Sequence, residues 1–530
     1  MADPPMGSEL DISSVSEKCL NGDRGNRNQY QFALTCAILA SMTSFLIGYD
    51  IGIMEGATIY MRRDLHITDV QVEILTWIIN LFSLLGSFLA GRTSDWIGRR
   101  YTIVLAGGIF FVGTVLMGLS PNYAFLIFSH CVTGIGVGFA LMVAPVYAAE
   151  VSPASFRGLL SSIPELSINF GIFVGYTIHI MFSELGWSQS LQIGLGVVLS
   201  VLFQLGVLAM PESPRWLVMR GRLGDARRVL HKISNSEQEV QQRLADIKSA
   251  AGIPESCNDD VVEVINKQQS GKGEWEEMFI TATPAVRHII VAVISIHFFQ
   301  QAIGLDSVIL YSPTIFEKTG IFEKAGITSD RQNLFVTLPI VLTKMIFVMA
   351  ATFSFDWFGR RPMLLTSFGG LIVSLFTLAT CLTVIGHSDK KVMWALSIIT
   401  VLSSVASFSI GAGPIAWVYC TEVLPLRLRA QGVAMGMVVN RMICGLISMT
   451  FPSLSKAITI GGAFFFYGTI ATIGWIFFFI VLPETRGKTL EEMEASFGSF
   501  RVKPKSDGIA KAPNSDKDGN NKPISINFEM

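Results

Sequence analysis

The hexapeptide Asp95-Trp96-Ile97-Gly98-Arg99-Arg100 returns as Asp356-Trp357-Phe358-Gly359-Arg360-Arg361, a spacing of 261 positions. Each copy lies between two apolar runs long enough to cross a bilayer. A second series keeps a spacing of 272: Val146-Tyr147, Glu150-Val151, Pro153 and Arg157 recur as Val418-Tyr419, Glu422-Val423, Pro425 and Arg429. Pro211-Glu212-Ser213 and Pro483-Glu484-Thr485 share that second spacing. Three matches in register make the chain two related halves. Internal duplication in an apolar chain is a transporter plan, with the substrate held where the halves meet.

Half of the residues are hydrophobic and only 15% are charged, and the mean hydropathy is +0.50. A soluble chain carries roughly a quarter charged residues, so most of this one faces lipid or packed helices. A net charge of −1 lacks the basic stripe of a nucleic-acid binder. Seven cysteines include no C-x-x-C pair, and Cys36, Cys131, Cys381, Cys420 and Cys444 fall inside apolar runs. Neither a disulfide framework nor a zinc site is indicated, and the sequence calls for no metal and no cofactor. Residues 1–30 are polar and no small-residue cleavage site follows the first apolar run, so that run is read as a span and not as a removable signal.

A hydrocarbon core takes about 20 mostly apolar residues to cross. On that measure the chain has twelve spans, at about 32–55, 72–91, 102–119, 124–147, 158–183 and 190–210, then 285–311, 332–352, 363–385, 392–419, 431–452 and 461–482. The predicted fold class is an all-α membrane protein of two six-helix bundles. A tail over 1–31 precedes the bundle 32–210, a charged linker with short amphipathic helices covers 211–284, and the bundle 285–482 precedes a tail over 483–530. After Gly498 the tail has a disordered composition. Arg92, Arg99, Arg100, Arg157, Arg215, Arg220, Arg360, Arg361, Arg427 and Arg429 share one side of this arrangement, while Arg62, Arg63, Lys318, Lys390 and Lys391 are the main basic residues opposite. The positive-inside rule then sets both termini and the linker in the cytoplasm.

The repeated loops read as a gate. Asp95, Arg99, Arg100, Glu150 and Arg157, with their counterparts Asp356, Arg360, Arg361, Glu422 and Arg429, stand at span ends. There they can pair across neighbouring helices when the cytoplasmic side closes. One solvated pair contributes under about 1 kcal/mol, but a network can bias a two-state equilibrium. The blander reading, that each Arg merely obeys the inside rule, explains single residues and not the duplicated pattern.

Gly91-Arg92…Asp95…Gly98-Arg99-Arg100, Pro211-Glu212-Ser213-Pro214-Arg215-Trp216, Gln300-Gln301, Gly413-Pro414…Trp417 and Pro483-Glu484-Thr485-Arg486-Gly487 resemble the sugar porter family of the major facilitator superfamily, over about 30–500. Gly48-Tyr49-Asp50-Ile51-Gly52, the stretch from Arg100 to Gly107, Leu208–Met219 and Ser409–Pro414 bring it nearest to plant polyol/monosaccharide transporters. The resemblance implies alternating access between two six-helix bundles.

Polar groups within spans are costly and mark functional sites. His297, Gln301 and Gly304 share a helix face, with Gln300 beside them and Asp306 beyond. Side-chain amides offer the donors and acceptors a polyhydroxyl ligand needs, and Gly304 permits a break in the helix. By resemblance Gln300, Gln301 and Asp306 fall on sugar-contact positions; the alternative is hydrogen bonding between helices. Glu165 and Lys344 stand where many hexose carriers have Gln and Asn, and a buried carboxylate and ammonium are most easily accommodated as partners. Asn440 and Trp417 complete the substrate set, Trp417 through a flat apolar face and one N–H donor. His179, Asn169 and Arg441 stay unassigned.

Asp50 is the proton candidate, since a carboxylate in an apolar span can load and release a proton as its surroundings change. The family pattern pairs it with an Arg where this chain has His130, which is cationic only toward lower pH. Glu55 replaces a usual small residue, and Ser188 an expected Arg. The primary expectation is a plasma-membrane proton symporter of linear polyols and monosaccharides, with myo-inositol as a further candidate. Its partners are then the substrate, the proton and the bilayer. A facilitative uniporter and a non-transporting sugar sensor are the alternatives, and no metal cluster or G-x-S-x-G elbow supports an enzyme.

Overall fold

The computed structural model describes residues 31–54, 68–153, 156–184, 189–234, 236–254, 256–257, 259–262, 273–306, 330–385, 391–488 and 497. Glu55, Arg62, Arg63, Ser188, Lys318, Lys390 and the tail after Gly498 lie outside them. In chain order the helices of the first half are α1 (Gln31–Met54), α2 (Asp69–Ile97), α3 (Arg99–Gly118), α4 (Tyr123–Val151), α5 (Arg157–Glu184) and α6 (Gln189–Leu208). The linker contributes α7 (Pro214–Met219), α8 (Leu223–Ile233), α9 (Glu237–Ala250) and α10 (Gly273–Phe279). The second half has α11 (Pro284–Ala302), α12 (Asp330–Phe358), α13 (Arg360–Ile385), α14 (Lys391–Ile410), α15 (Ala412–Val423) and α16 (Arg429–Val481).

Local sequence sets the helix ends. Thr68 and Gln71 form a reciprocal capping box at the start of α2, and Asn122 caps α4. Ser213 and Thr283 cap α7 and α11, each followed by a proline at the first helical position, where the missing N–H has no partner to lose.

Among the described residues nine helices are long and apolar enough to cross a membrane; with α2, the shorter apolar stretch of α6 and the second part of α16 they fit the twelve apolar runs, α14 and α15 forming one broken span. That broken span departs from the uninterrupted run read over 392–419: the helix stops at Ile410, and Gly411 turns the chain before α15. Conversely, no loop separates the last two spans. The 53-residue α16 runs through a kink at Thr459, whose φ is +71°. The span read as 285–311 ends its helix at Ala302, with Gly304 at φ +70°.

Packing follows the polarity pattern. All residues from Gly136 to Val151 of α4 are buried, as expected for a helix that is apolar all round and enclosed by others. Phe88, Phe128, Leu205, Met449 and Ile480 are exposed and form the lipid-facing surface. Within the halves α2 and α3 pack on α4, and α13 on α14 and α16; between the halves α2 lies along α16 and α5 along α12. These two inter-half seams carry the sites below. On the linker side, α8 buries Leu223, Ala226, Val229, Leu230 and Ile233.

Candidate functional site

Each half is strapped at one end by the same set of bonds. Arg99 donates from Nε to Glu150 at 3.0 Å and from Nη1 to Asp95 at 3.1 Å, while Ser213 Oγ donates to Glu150 at 2.6 Å. In the second half Arg360 donates from Nη2 to Glu422 at 2.7 Å and lies 3.1 Å from Asp356, and Thr485 Oγ1 donates to Glu422 at 2.7 Å. Tyr147 and Tyr419 donate to the carbonyls of Pro211 and Pro483. Both arginines are buried, so the paired carboxylates are what makes them tolerable there.

Glu212 accepts from the Arg99 and Arg100 amides at 2.9 and 3.2 Å, and Glu484 accepts from the Arg360 and Arg361 amides, both at 3.0 Å. A carboxylate thus satisfies the free N–H groups that open α3 and α13, at their positive dipole ends. Burial pushes the Glu212 carboxyl above the ordinary carboxylate range, and hydrogen bonds from Ser213, Arg100 and Arg99 oppose that rise. The glycine before each arginine pair is forced twice over. Gly98 and Gly359 sit at φ +97° and +87°, and a side chain on either would run into the glutamate carboxylate. Arg100 and Arg361 make no ion pair among the described residues; their guanidinium groups donate to the carbonyls of Leu208 and Phe479.

A second group of contacts crosses between the halves. Arg429 approaches Glu150 at 3.6 Å, Gln431 donates to Asp95 at 3.4 Å, and Arg157 donates to the Lys488 carbonyl at 3.1 Å. Asp356 accepts from the Gly158 and Leu159 amides at 3.1 and 3.0 Å. A carboxylate of the second half therefore caps the first turn of α5 in the first half. The two halves are shut together at this end.

Away from that end lies a cavity of about 270 Å³ between the halves. Small-molecule pockets start near about 300 Å³, so it suits a compact ligand. Glu165, Gln300, Gln301, Asp306, Lys344 and Trp417 line it, as do Asp50 and His130. Asn440 does not. It is fully buried one layer back, where its Nδ2 donates to Gln300 Oε1 at 2.7 Å and its Oδ1 accepts from Gln301 Nε2 at 3.4 Å. Gln300 also donates to the Gly413 carbonyl at 2.7 Å, across the α11–α15 contact. His297 stands edge-on to Trp417, with Nε2 3.2 Å from Cys420 Sγ.

Glu165 and Lys344 both reach the cavity, but no ion pair joins them among the described residues; Glu165 accepts from Asn169 at 3.0 Å. Asp50 likewise has no cationic side chain within ion-pairing distance among the described residues. His130 is buried, and its Nδ1–H donates to the Leu126 carbonyl at 2.9 Å. That bond leaves Nε2 as the ring's basic nitrogen, with no hydrogen-bond partner among the described residues. Arg441, Asn80, Cys444 and Ser448 also line the cavity. Three of them follow Asn440 on one helix at helical spacing, so an Arg inside an apolar run was the available signal.

A cavity rich in carboxylate, amide and cationic groups, lying between two strapped helical halves, is the equipment of a membrane carrier for a small polar solute. The chain belongs to the sugar (and other) transporter family, whose sequence model matches residues 36–497. It is 56% identical over 523 residues to polyol transporter 5 of Arabidopsis thaliana, covering 96% of this chain and 95% of that one. It is 30% identical to the glucose transporter GlcP of Staphylococcus epidermidis, covering 86% and 95%. Among solved structures, the proton:xylose symporter XylE bound to 6-bromo-6-deoxy-D-glucose aligns with a TM-score of 0.76 at 23% identity, over 88% of this chain and 100% of that one. The protein is thus a multi-pass membrane transporter and not an enzyme.

Proposed function

We propose that this transporter is a proton-coupled symporter of polyols and monosaccharides working by alternating access, in the plasma membrane with both termini cytoplasmic. The observation that carries the reading is the meeting of Gln300, Gln301, Glu165, Asp306, Lys344 and Trp417 with Asp50 on one cavity between the halves. A polyol is a chain of hydroxyls, each both donor and acceptor. The carboxylates accept, Lys344 donates, the amides do both, and the Trp417 ring covers C–H faces. The name of the Arabidopsis relative supports the polyol class, and that of XylE supports proton coupling. In this reading Asn440 holds the amide pair and the ion-pair network is the cytoplasmic gate.

Asp50 and His130 are the coupling pair. Proton entry down the membrane potential contributes about 2.3 kcal/mol per 100 mV, enough to concentrate a neutral solute. The absence of a permanent cation beside Asp50 among the described residues favours one second reading, a facilitative uniporter.

Uptake of labelled sorbitol by yeast lacking its own hexose carriers separates the two. Accumulation above the external concentration that an uncoupler abolishes supports symport. Uptake that persists with the uncoupler and stops at equilibrium establishes the uniporter. Binding with no uptake removes both.

A further inference from the structure

The seam between α2 and α16 is closed along a run of antiparallel contacts. Gln431 meets Asp95 at one end. Further along, a methyl group added at Gly91 would lie 2.8 Å from Ala434 Cβ, and one added at Gly445 would lie 3.0 Å from the Trp77 ring nitrogen. Between these points Arg441 donates from Nη1 to Asn80 Oδ1 at 3.4 Å, joining the second half to the first. At about 1.5 Å per residue, Arg441 stands roughly 18 Å along the helix from Arg429. It therefore sits well beyond the ion-pair network, at the wall of the cavity.

The same guanidinium has a second task. Its Nη2 and Nε donate to Asn440 Oδ1 at 2.6 and 3.0 Å. Asn440 is the residue whose amide group holds Gln300 Oε1 and receives Gln301 Nε2. A continuous chain of hydrogen bonds thus runs from Asn80 in the first half, through Arg441 and Asn440, to the two glutamines. A permanent cation in an apolar span is expensive, and here its donors go to two neutral amide oxygens from different halves. Only a planar fork with several fixed N–H groups serves both at once; an ammonium does not.

We propose that Arg441 is a positioning residue that couples closure of the α2–α16 seam to the alignment of Gln300 and Gln301. When the seam opens, Asn80 withdraws, the guanidinium loses its inter-half acceptor, and its grip on Asn440 loosens. The glutamine pair is then aligned for a ligand only while the halves are shut at this level. Substrate and closure favour each other through one side chain. This rests on the reading of Gln300 and Gln301 as substrate ligands.

Cys444 lines the same cavity and reports on access to it. The full-length transporter is labelled with a membrane-impermeant maleimide from the face opposite the ion-pair network, without substrate, with Cys444→Ser identifying the signal. Asn80→Ala is expected to speed Cys444 labelling and to raise the half-saturating sorbitol concentration about five- to tenfold, the scale of one long hydrogen bond to a charged group. Arg441→Lys should reproduce these changes and not rescue them, and Asn80→Ala combined with Arg441→Gln should be no worse than Arg441→Gln alone. Unchanged labelling and half-saturation in Asn80→Ala, or multiplying effects in the double variant, overturn the proposal. If the Arg441 variants fail to reach the membrane, Asn80→Ala alone decides, because it leaves the whole glutamine shell intact. Gln301→Ala is run alongside. A wild-type half-saturation there removes the substrate-site reading itself, whereas a raised value with a silent Asn80→Ala removes only the role of Arg441.

Discussion

Replacing Asp356 with alanine removes the carboxylate that closes the first turn of α5 from the opposite half. In the shut arrangement its two oxygens accept from Gly158 and Leu159 at 3.1 and 3.0 Å. Separating α5 from α12 breaks both bonds, so their contribution belongs to the shut state alone. Loss of a helix-capping side chain costs about 0.5–2 kcal/mol. Asp356 is 19% exposed, and Arg360 keeps Glu422 at 2.7 Å as a partner, so no unpaired buried charge is added. A cost of about 1–2 kcal/mol shifts the shut-to-open ratio by about 5- to 30-fold. In membrane vesicles of known orientation, an impermeant maleimide reaches Cys444 from the network side only in the open state. Its labelling rate should rise by about that factor in Asp356→Ala, and by less in Asp356→Asn, which keeps a neutral acceptor. A rate equal to wild type in a variant that still transports would refute the assignment of this bond to one state.

Three further outcomes are expected. Gln301→Ala should raise the half-saturating sorbitol concentration about tenfold or more through loss of a charge-free but buried hydrogen-bonding group, measured as initial uptake; wild-type affinity would refute the cavity. His130→Arg sets a permanent cation in the cavity shared with Asp50, which favours the ionised carboxylate. Proton loading then needs a more acidic medium, so the fall in uptake with rising pH should set in at lower pH, and an unmoved fall-off uncouples His130 from Asp50. Thr459→Gly should raise the thermal unfolding midpoint in detergent. It relieves a φ of +71°, about 1–3 kcal/mol of strain, and gives up only the Thr459 Oγ1 cap on the Gly462 amide at 3.2 Å, a few tenths of a kcal/mol; a lower midpoint would refute the strain.

The spans and the duplicated loops were legible because hydropathy runs and repeated identities are properties of the chain itself. Which carboxylate each arginine takes was not. Arg99 and Arg360 pair with Glu150 and Glu422, whereas the adjacent Arg100 and Arg361 turn to carbonyls at the ends of α6 and α16. One residue of helix rotation separates those fates, and composition does not record it. Asn440 and Arg441 show the same limit. Both are polar groups in an apolar run, yet Arg441 faces the cavity and Asn440 stands behind it. The break at Gly411 carried a signal in Gly411-Ala412-Gly413-Pro414, which the length and hydrophobicity of the surrounding run outweighed in favour of one straight crossing.

The straps inside each half were copied when the ancestral half was doubled, with Tyr147 and Tyr419, Glu212 and Glu484, and Ser213 and Thr485 in matching roles. The bonds between the halves do not match in that way: Asp356 takes two backbone amides of α5, while its twin Asp95 takes the side chain of Gln431. Stiffness is therefore inherited in duplicate, whereas how tightly the halves close on each other rests on individual residues. Variation among descendants of such a gene can retune that closure, substitution by substitution, while each half keeps its rigidity.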